Sequence, residues 1–253
     1  MPTSTPVTRA DDNPYGQGGP KAGMVGTRDA ALAFDEFTLA AATADLAEEP
    51  AAREHADCVE FRMDLAAEPL AALEGYDGEL PLLVTNRPAW EGGEADDDGR
   101  IEQLDRALDH DAVAAIDVEL AALADGEGHD LVERATRGGI SVVVSTHDFE
   151  GTPPRAELDR LLTRAAEVGD VAKLAVTAHD RDDTLALLAV TRAHAKRGTR
   201  VATMAMGEAG RHTRALAPVY GSRIGYAPVD PDRATAPGQY DLRTLRELVD
   251  ALQ

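Results

Sequence analysis

Two hydrophobic rhythms alternate along the chain. Short apolar runs rich in Val, Ile and Ala predict buried strands, and the segments between them carry apolar residues at helical spacing. The predicted strands are Phe37–Ala42, Cys58–Met63, Leu80–Thr85, Val113–Glu119, Ile140–His147, Asp170–Val176, Thr199–Met204 and Ser222–Tyr226. The predicted helices are Glu48–His55, Pro69–Leu73, Arg100–Leu108, Asp130–Arg137, Pro154–Val168, Arg181–Lys196, Thr213–Val219 and Leu242–Leu252. Strand followed by helix, repeated in this way, predicts a parallel sheet. The number of units in a chain of this length predicts an α/β fold, a closed (β/α)8 TIM barrel, as a single domain over residues 31–253. Residues 1–30 fall outside the rhythm. They are rich in Pro, Gly, Thr and Asp, carry no apolar period, and read as a disordered N-terminal extension. No Gly-x-Gly-x-x-Gly turn follows the first strand, which speaks against a dinucleotide site.

Charge narrows the partners. A formal net charge of −21 repels phosphates, so neither nucleic acid nor an anionic membrane surface is expected as a partner. The acidic residues are spread along the chain, lysine is scarce and alanine abundant, a combination that points to a surface adapted to high salt. Cys58 is the one cysteine, which excludes an internal disulfide and a Cys-based metal site. The histidines show no metal-ligand spacing, so no metal and no cofactor is expected. No apolar run reaches membrane-spanning length, and Met1–Pro6 lacks the apolar centre of a signal peptide, so a cytoplasmic location is expected.

In a barrel of this kind, chemistry belongs at the C-terminal ends of the strands. Lys173 sits inside an apolar strand, where an ammonium ion is costly to bury. The other two lysines are Lys21 and Lys196, and most cationic positions are Arg. A lysine kept in such a place points to chemistry that Arg cannot perform, since a desolvated amine can lose its proton and attack a carbonyl. His147 closes the preceding strand and supplies a proton carrier. Alternation places Glu60, Arg62 and Asp64 on one side of the second strand, either as an internal ion-pair ladder or as the wall of a polar site; one arrangement can serve both. Asp117 and Glu119 share a side in the same way. Arg87 and Glu91, ahead of Gly92 and Gly93, follow the third strand. Arg211 and Arg214 follow the seventh and compete for a carboxylate. Thr235 to Gln239 forms a Pro-Gly turn after the eighth, able to present a hydroxyl and an amide.

Taken in chain order, these motifs resemble the type I 3-dehydroquinate dehydratases, Schiff-base enzymes of the shikimate pathway. The resemblance rests on Glu60-Phe-Arg-Met-Asp64, Arg87 with Glu91-Gly-Gly93, Ser145-Thr-His-Asp-Phe149, Ala172-Lys-Leu-Ala175, Met206-Gly207 through Arg214, and Ala236-Pro-Gly-Gln239. It spans residues 37–253 and implies a homodimeric TIM-barrel lyase acting on 3-dehydroquinate. On that resemblance Lys173 forms the imine, His147 serves as general base and acid, and Glu91 orients it. Glu60, Arg62, Arg87, Arg214, Thr235 and Gln239 hold the substrate. Thr235 departs from the family's usual Ser by one methyl group.

Other readings fit the residues less well. A class I aldolase also uses a barrel lysine, but it usually takes phosphorylated sugars, and no phosphate loop is present. A silent interaction protein would have no need for both Lys173 and His147.

Overall fold

The computed structural model of the chain describes residues 32–253, apart from 125, 234, 235 and 237. The expected extension over residues 1–30 and the candidate Thr235 lie outside the described residues. Eight parallel strands occur among the described residues: β1 (Thr38–Thr43), β2 (Cys58–Arg62), β3 (Leu82–Thr85), β4 (Val113–Glu119), β5 (Ser141–Asp148), β6 (Val171–Thr177), β7 (Val201–Met206) and β8 (Ile224–Pro228). The helices are α1 (Glu49–Ala52), α2 (Pro69–Glu74), α3 (Arg100–Ala107), α4 (Leu120–Ala124), α5 (His129–Arg137), α6 (Arg155–Ala166), α7 (Arg181–Lys196), α8 (Gly207–Gly210), α9 (Thr213–Leu216) and α10 (Leu242–Leu252). Strands pair in the order β7-β6-β5-β4-β3-β2-β1-β8. The ring therefore has one loose seam, between β7 and β8. Among the described residues a single bridge, Val201–Ser222, crosses it, with Arg223 N–H donating to the Val201 carbonyl at 2.7 Å and Thr203 N–H to Ser222 Oγ at 2.9 Å.

Side-chain size explains where the site can sit. The outward strand faces carry large aliphatics such as Val59, Ile116, Val142, Leu174 and Val176, which pack beneath the helices. The inward faces carry small residues: Ala40, Cys58, Ala115, Ala175 and Ala202. Small inward residues leave room in the upper barrel for long polar side chains. The bottom is closed by Leu32 and Phe34, both buried, and Ser141 Oγ donates to the Leu32 carbonyl at 2.6 Å. Local signals fix several helix ends. Asp180 and Asp183 form a reciprocal capping box on α7, and Asp241 accepts from Thr244 N–H at the start of α10.

Several predicted boundaries move. β7 starts at Val201 rather than Thr199, because Thr199 N–H is taken by the His194 carbonyl at the end of α7. β8 starts at Ile224 rather than Ser222, whose N–H bonds back to Ala217. Leu80 stays out of β3 because its N–H donates to Glu49 Oε1. The first helix is a 3-10 turn, Leu46–Glu48, followed by the short α1. The helix α4 (Leu120–Ala124) was not expected at all. No helix among the described residues is long and apolar enough to cross a membrane.

Candidate active site

Adjacent strands set the central pair. In the β5–β6 ladder Ser145 lies opposite Lys173 and His147 opposite Ala175. Both side chains face inward, the imidazole two residues nearer the strand ends. They open into a cleft of about 520 Å³, which Glu60, Arg62, Arg87, Glu91, Arg214 and Gln239 also line. The structure thus brings these described candidates to one place and leaves Arg211 outside it. Arg62 is fixed by Asp64, which accepts from its Nε at 2.8 Å and its Nη2 at 2.6 Å. Glu60 accepts from Thr85 Oγ1 at 3.2 Å and stands 3.7 Å from Lys173 Nζ.

Two glycines bring Glu91 back towards the barrel. Gly92 has φ 79°, and a Cβ there would lie 2.2 Å from the Phe149 ring; a Cβ on Gly93 would lie 2.0 Å from the Arg87 carbonyl oxygen. Only chain without side chains turns so tightly against both. The turn delivers Glu91 Oε1 to 2.9 Å from His147 Nδ1. The Phe149 ring lies nearly parallel to the imidazole, with centroids 6.1 Å apart.

Beneath this pair runs an ion network that includes residues to which the sequence reading gave no role. Asp117 accepts from Lys173 Nζ at 2.8 Å and Ser145 Oγ at 2.6 Å, and Arg87 Nη2 lies 3.0 Å away. Glu119 accepts from Arg87 at 2.7 Å and from Arg100 at 2.6 Å. All are buried. Lys173, Arg87 and Arg100 thus face Asp117, Glu119 and Glu60, three cations against three carboxylates. The inward alternation of Asp117 and Glu119 was visible in the sequence. Arg100 gave no signal, since its partner lies on another element. Tyr226, which also lines the cleft, shares the inward parity of Ile224 on β8.

The electrostatics follow from burial and neighbours. Burial alone would raise the Asp117 carboxyl, but Arg87 and Lys173 hold it well below the usual carboxylate range. Burial lowers His147 well below its ordinary value, and the cations Arg87 and Lys173 lower it further. Burial pushes Glu91 up to about 8, against the opposing pull of Arg87. Burial pushes Arg214 down to about 10, which leaves it a cation at neutral pH. Arg211 does not line the cleft; it stacks over Tyr240, 4.3 Å from the ring centroid. Gln239 Oε1 accepts from Ala236 N–H at 3.1 Å, which shapes the turn after β8. Among the described residues no group of three or more His, Cys, Asp and Glu side chains is arranged to hold a metal.

Such a site offers an amine, an imidazole–carboxylate pair and cationic walls, a set suited to carbonyl and proton-transfer chemistry on an anion. The sequence matches the family model of type I 3-dehydroquinase over residues 37–253. It is 61% identical over 224 residues to the 3-dehydroquinate dehydratase of Haloarcula marismortui, covering 87% of this chain and 98% of that one. It is 52% identical over 226 residues to that of Halobacterium salinarum, covering 88% and 100%. The crystal structure of 3-dehydroquinate dehydratase from Geobacillus kaustophilus aligns with a TM-score of 0.78 at 27% identity, covering 87% of this chain and 92% of that one.

Proposed function

The chain belongs to the type I 3-dehydroquinase family, and from that premise we propose that it is a lyase which removes water from 3-dehydroquinate through an imine on Lys173. The observation that carries this reading is the convergence of the Lys173 amine and the His147–Glu91 pair on one cleft.

The steps follow from the chemistry of the groups. Lys173 Nζ attacks the ketone carbon, the carbonyl oxygen leaves as water, and an iminium results. The iminium withdraws electrons, so a proton on the adjacent carbon becomes removable. His147 takes that proton, and the electron pair moves towards nitrogen to give an enamine. The enamine then expels the hydroxyl from the next carbon along, with His147 returning its proton so that the hydroxyl leaves as water. Hydrolysis of the remaining imine frees 3-dehydroshikimate and restores the amine. Glu91 holds Nδ1 and so directs the opposite ring nitrogen at the substrate. Arg62, Arg87 and Arg214 supply cationic contacts for the carboxylate and hydroxyls. Glu60 and Gln239 add acceptors, and Thr235 a hydroxyl. These contacts exist before and after the chemical step, so their part is positioning.

On this reading the enzyme serves aromatic amino acid biosynthesis in the cytoplasm, as a homodimer adapted to high salt. The test is the rise in ultraviolet absorbance as purified protein converts 3-dehydroquinate to the conjugated 3-dehydroshikimate, at low and at molar KCl. No absorbance change at either salt concentration would overturn it.

A further inference from the structure

We propose that the ring face of Tyr226, and not its hydroxyl, is a catalytic contact for Lys173, stabilising the positive charge of the iminium formed on that nitrogen. The inference rests on the imine reading given above and extends it to a residue outside that scheme.

The geometry is direct. Lys173 Nζ lies 4.1 Å from the centroid of the Tyr226 ring, well within the roughly 6 Å over which a cation is drawn to the negative face of an aromatic ring. Both side chains line the cleft, and each residue is only 4% exposed. Burial of both side chains lowers solvent screening and strengthens the attraction. The hydroxyl has no hydrogen-bond partner among the described residues. A buried hydroxyl left in that state costs stability rather than adding to it. Burial also raises the phenol well above its ordinary range, so the ring stays neutral and keeps its negative face.

The reaction itself gives the face its value. Condensation of an ammonium group with a ketone joins nitrogen to carbon and breaks the carbon–oxygen double bond. The oxygen departs as water with two of the three ammonium protons. Charge is conserved on nitrogen, but only one N–H remains. Asp117, at 2.8 Å, and Glu60, at 3.7 Å, surround an ammonium that has three protons to share. The iminium can hydrogen-bond through one alone. A π face requires no N–H, because it responds to charge. The Tyr226 face therefore offers this nitrogen, among the described residues, an uncharged contact that needs no directed N–H. Its effect is to hold the imine protonated, and a protonated imine is the form that both withdraws electrons and undergoes hydrolysis.

The test replaces Tyr226 in the full chain by Phe, by pentafluorophenylalanine and by Leu. Borohydride trapping with saturating 3-dehydroquinate is then followed by mass spectrometry across pH, with thermal melting alongside. Y226F should trap within about twofold of wild type and melt no lower. The pentafluoro variant keeps the shape but reverses the sign of the face. It should trap about tenfold less, with its alkaline limit about one pH unit lower, and Tyr226→Leu should follow it. A pentafluoro variant that matches Y226F would overturn the proposal, as would a Y226F variant as impaired as Tyr226→Leu. Wild type left unlabelled at Lys173 would remove the imine reading and this inference together. Labelled wild type with an unaffected pentafluoro variant would remove this inference alone.

Discussion

Lys173 Nζ donates to Asp117 Oδ2 at 2.8 Å inside the barrel, and the same carboxylate receives Ser145 and lies beside Arg87. One acid on β4 therefore ties down the Lys173 amine, Ser145 on the strand beside it and the Arg87 guanidinium at once. Asp117→Asn keeps the shape but leaves two buried cations without their shared counter-charge. Removing one partner from a buried ion pair costs about 3–5 kcal/mol. Denaturant unfolding should show a loss of that order together with a fall in kcat. A variant within ~1 kcal/mol of wild type would mean that Glu60 and Glu119 suffice.

The His147–Glu91 pair sets the pH dependence. With Glu91 raised to about 8 and His147 lowered, the pair holds one exchangeable proton across its 2.9 Å contact near neutral pH. The base becomes free as pH rises through the pair's titration. So kcat/KM should climb with pH and level off above about 8. In Glu91→Gln the amide cannot hold the proton, while burial and the cations Arg87 and Lys173 still depress His147. The acid limb should then fall below the ordinary imidazole range, about 6.5. A limb unmoved in the variant would detach Glu91 from the titration.

Arg214 and Arg211 separate by position. Arg214 lines the cleft, whereas Arg211 lies against Tyr240. Arg214→Ala should raise KM by about 10- to 100-fold, the loss of one charge-assisted contact of roughly 1.5–3 kcal/mol. Arg211→Ala should act less, through the placing of the turn that carries Gln239. Steady-state kinetics of both variants decide it, and a larger KM effect at Arg211 would reverse the assignment.

The net charge of −21 makes stability depend on salt. Repulsion among surface carboxylates weakens as the screening length shortens from about 10 Å at 0.1 M to about 3 Å at 1 M. Thermal melting should rise steeply from dilute buffer to molar KCl. A flat curve would remove the high-salt reading and leave the enzyme reading untouched.

How much of this was legible in the sequence follows from where each signal lies. Barrel and strand order were legible because the apolar runs repeat locally. Lys173 and His147 stood out because each breaks the apolar pattern of its own strand. The starts of β3, β7 and β8 were misplaced because the N–H groups of Leu80, Thr199 and Ser222 are captured by Glu49, His194 and Ala217. No local pattern reports such captures. The Arg87–Glu119–Arg100 chain joins β3, β4 and α3, so it exists only once the barrel closes. The face of Tyr226 met Lys173 for the same reason, across the barrel rather than along the chain.

The central claim is that Lys173 carries the substrate, and borohydride tests it most directly. Reduction during turnover should leave one adduct, and mass spectrometry of the digested protein should find it on the peptide containing Lys173. Lys173→Ala should remain unlabelled and inactive. His147→Ala should still be trapped, more slowly, while its turnover falls by roughly 10²–10⁴. An adduct on Lys196 or Lys21, or a Lys173→Ala variant that dehydrates 3-dehydroquinate near the wild-type rate, would contradict the account.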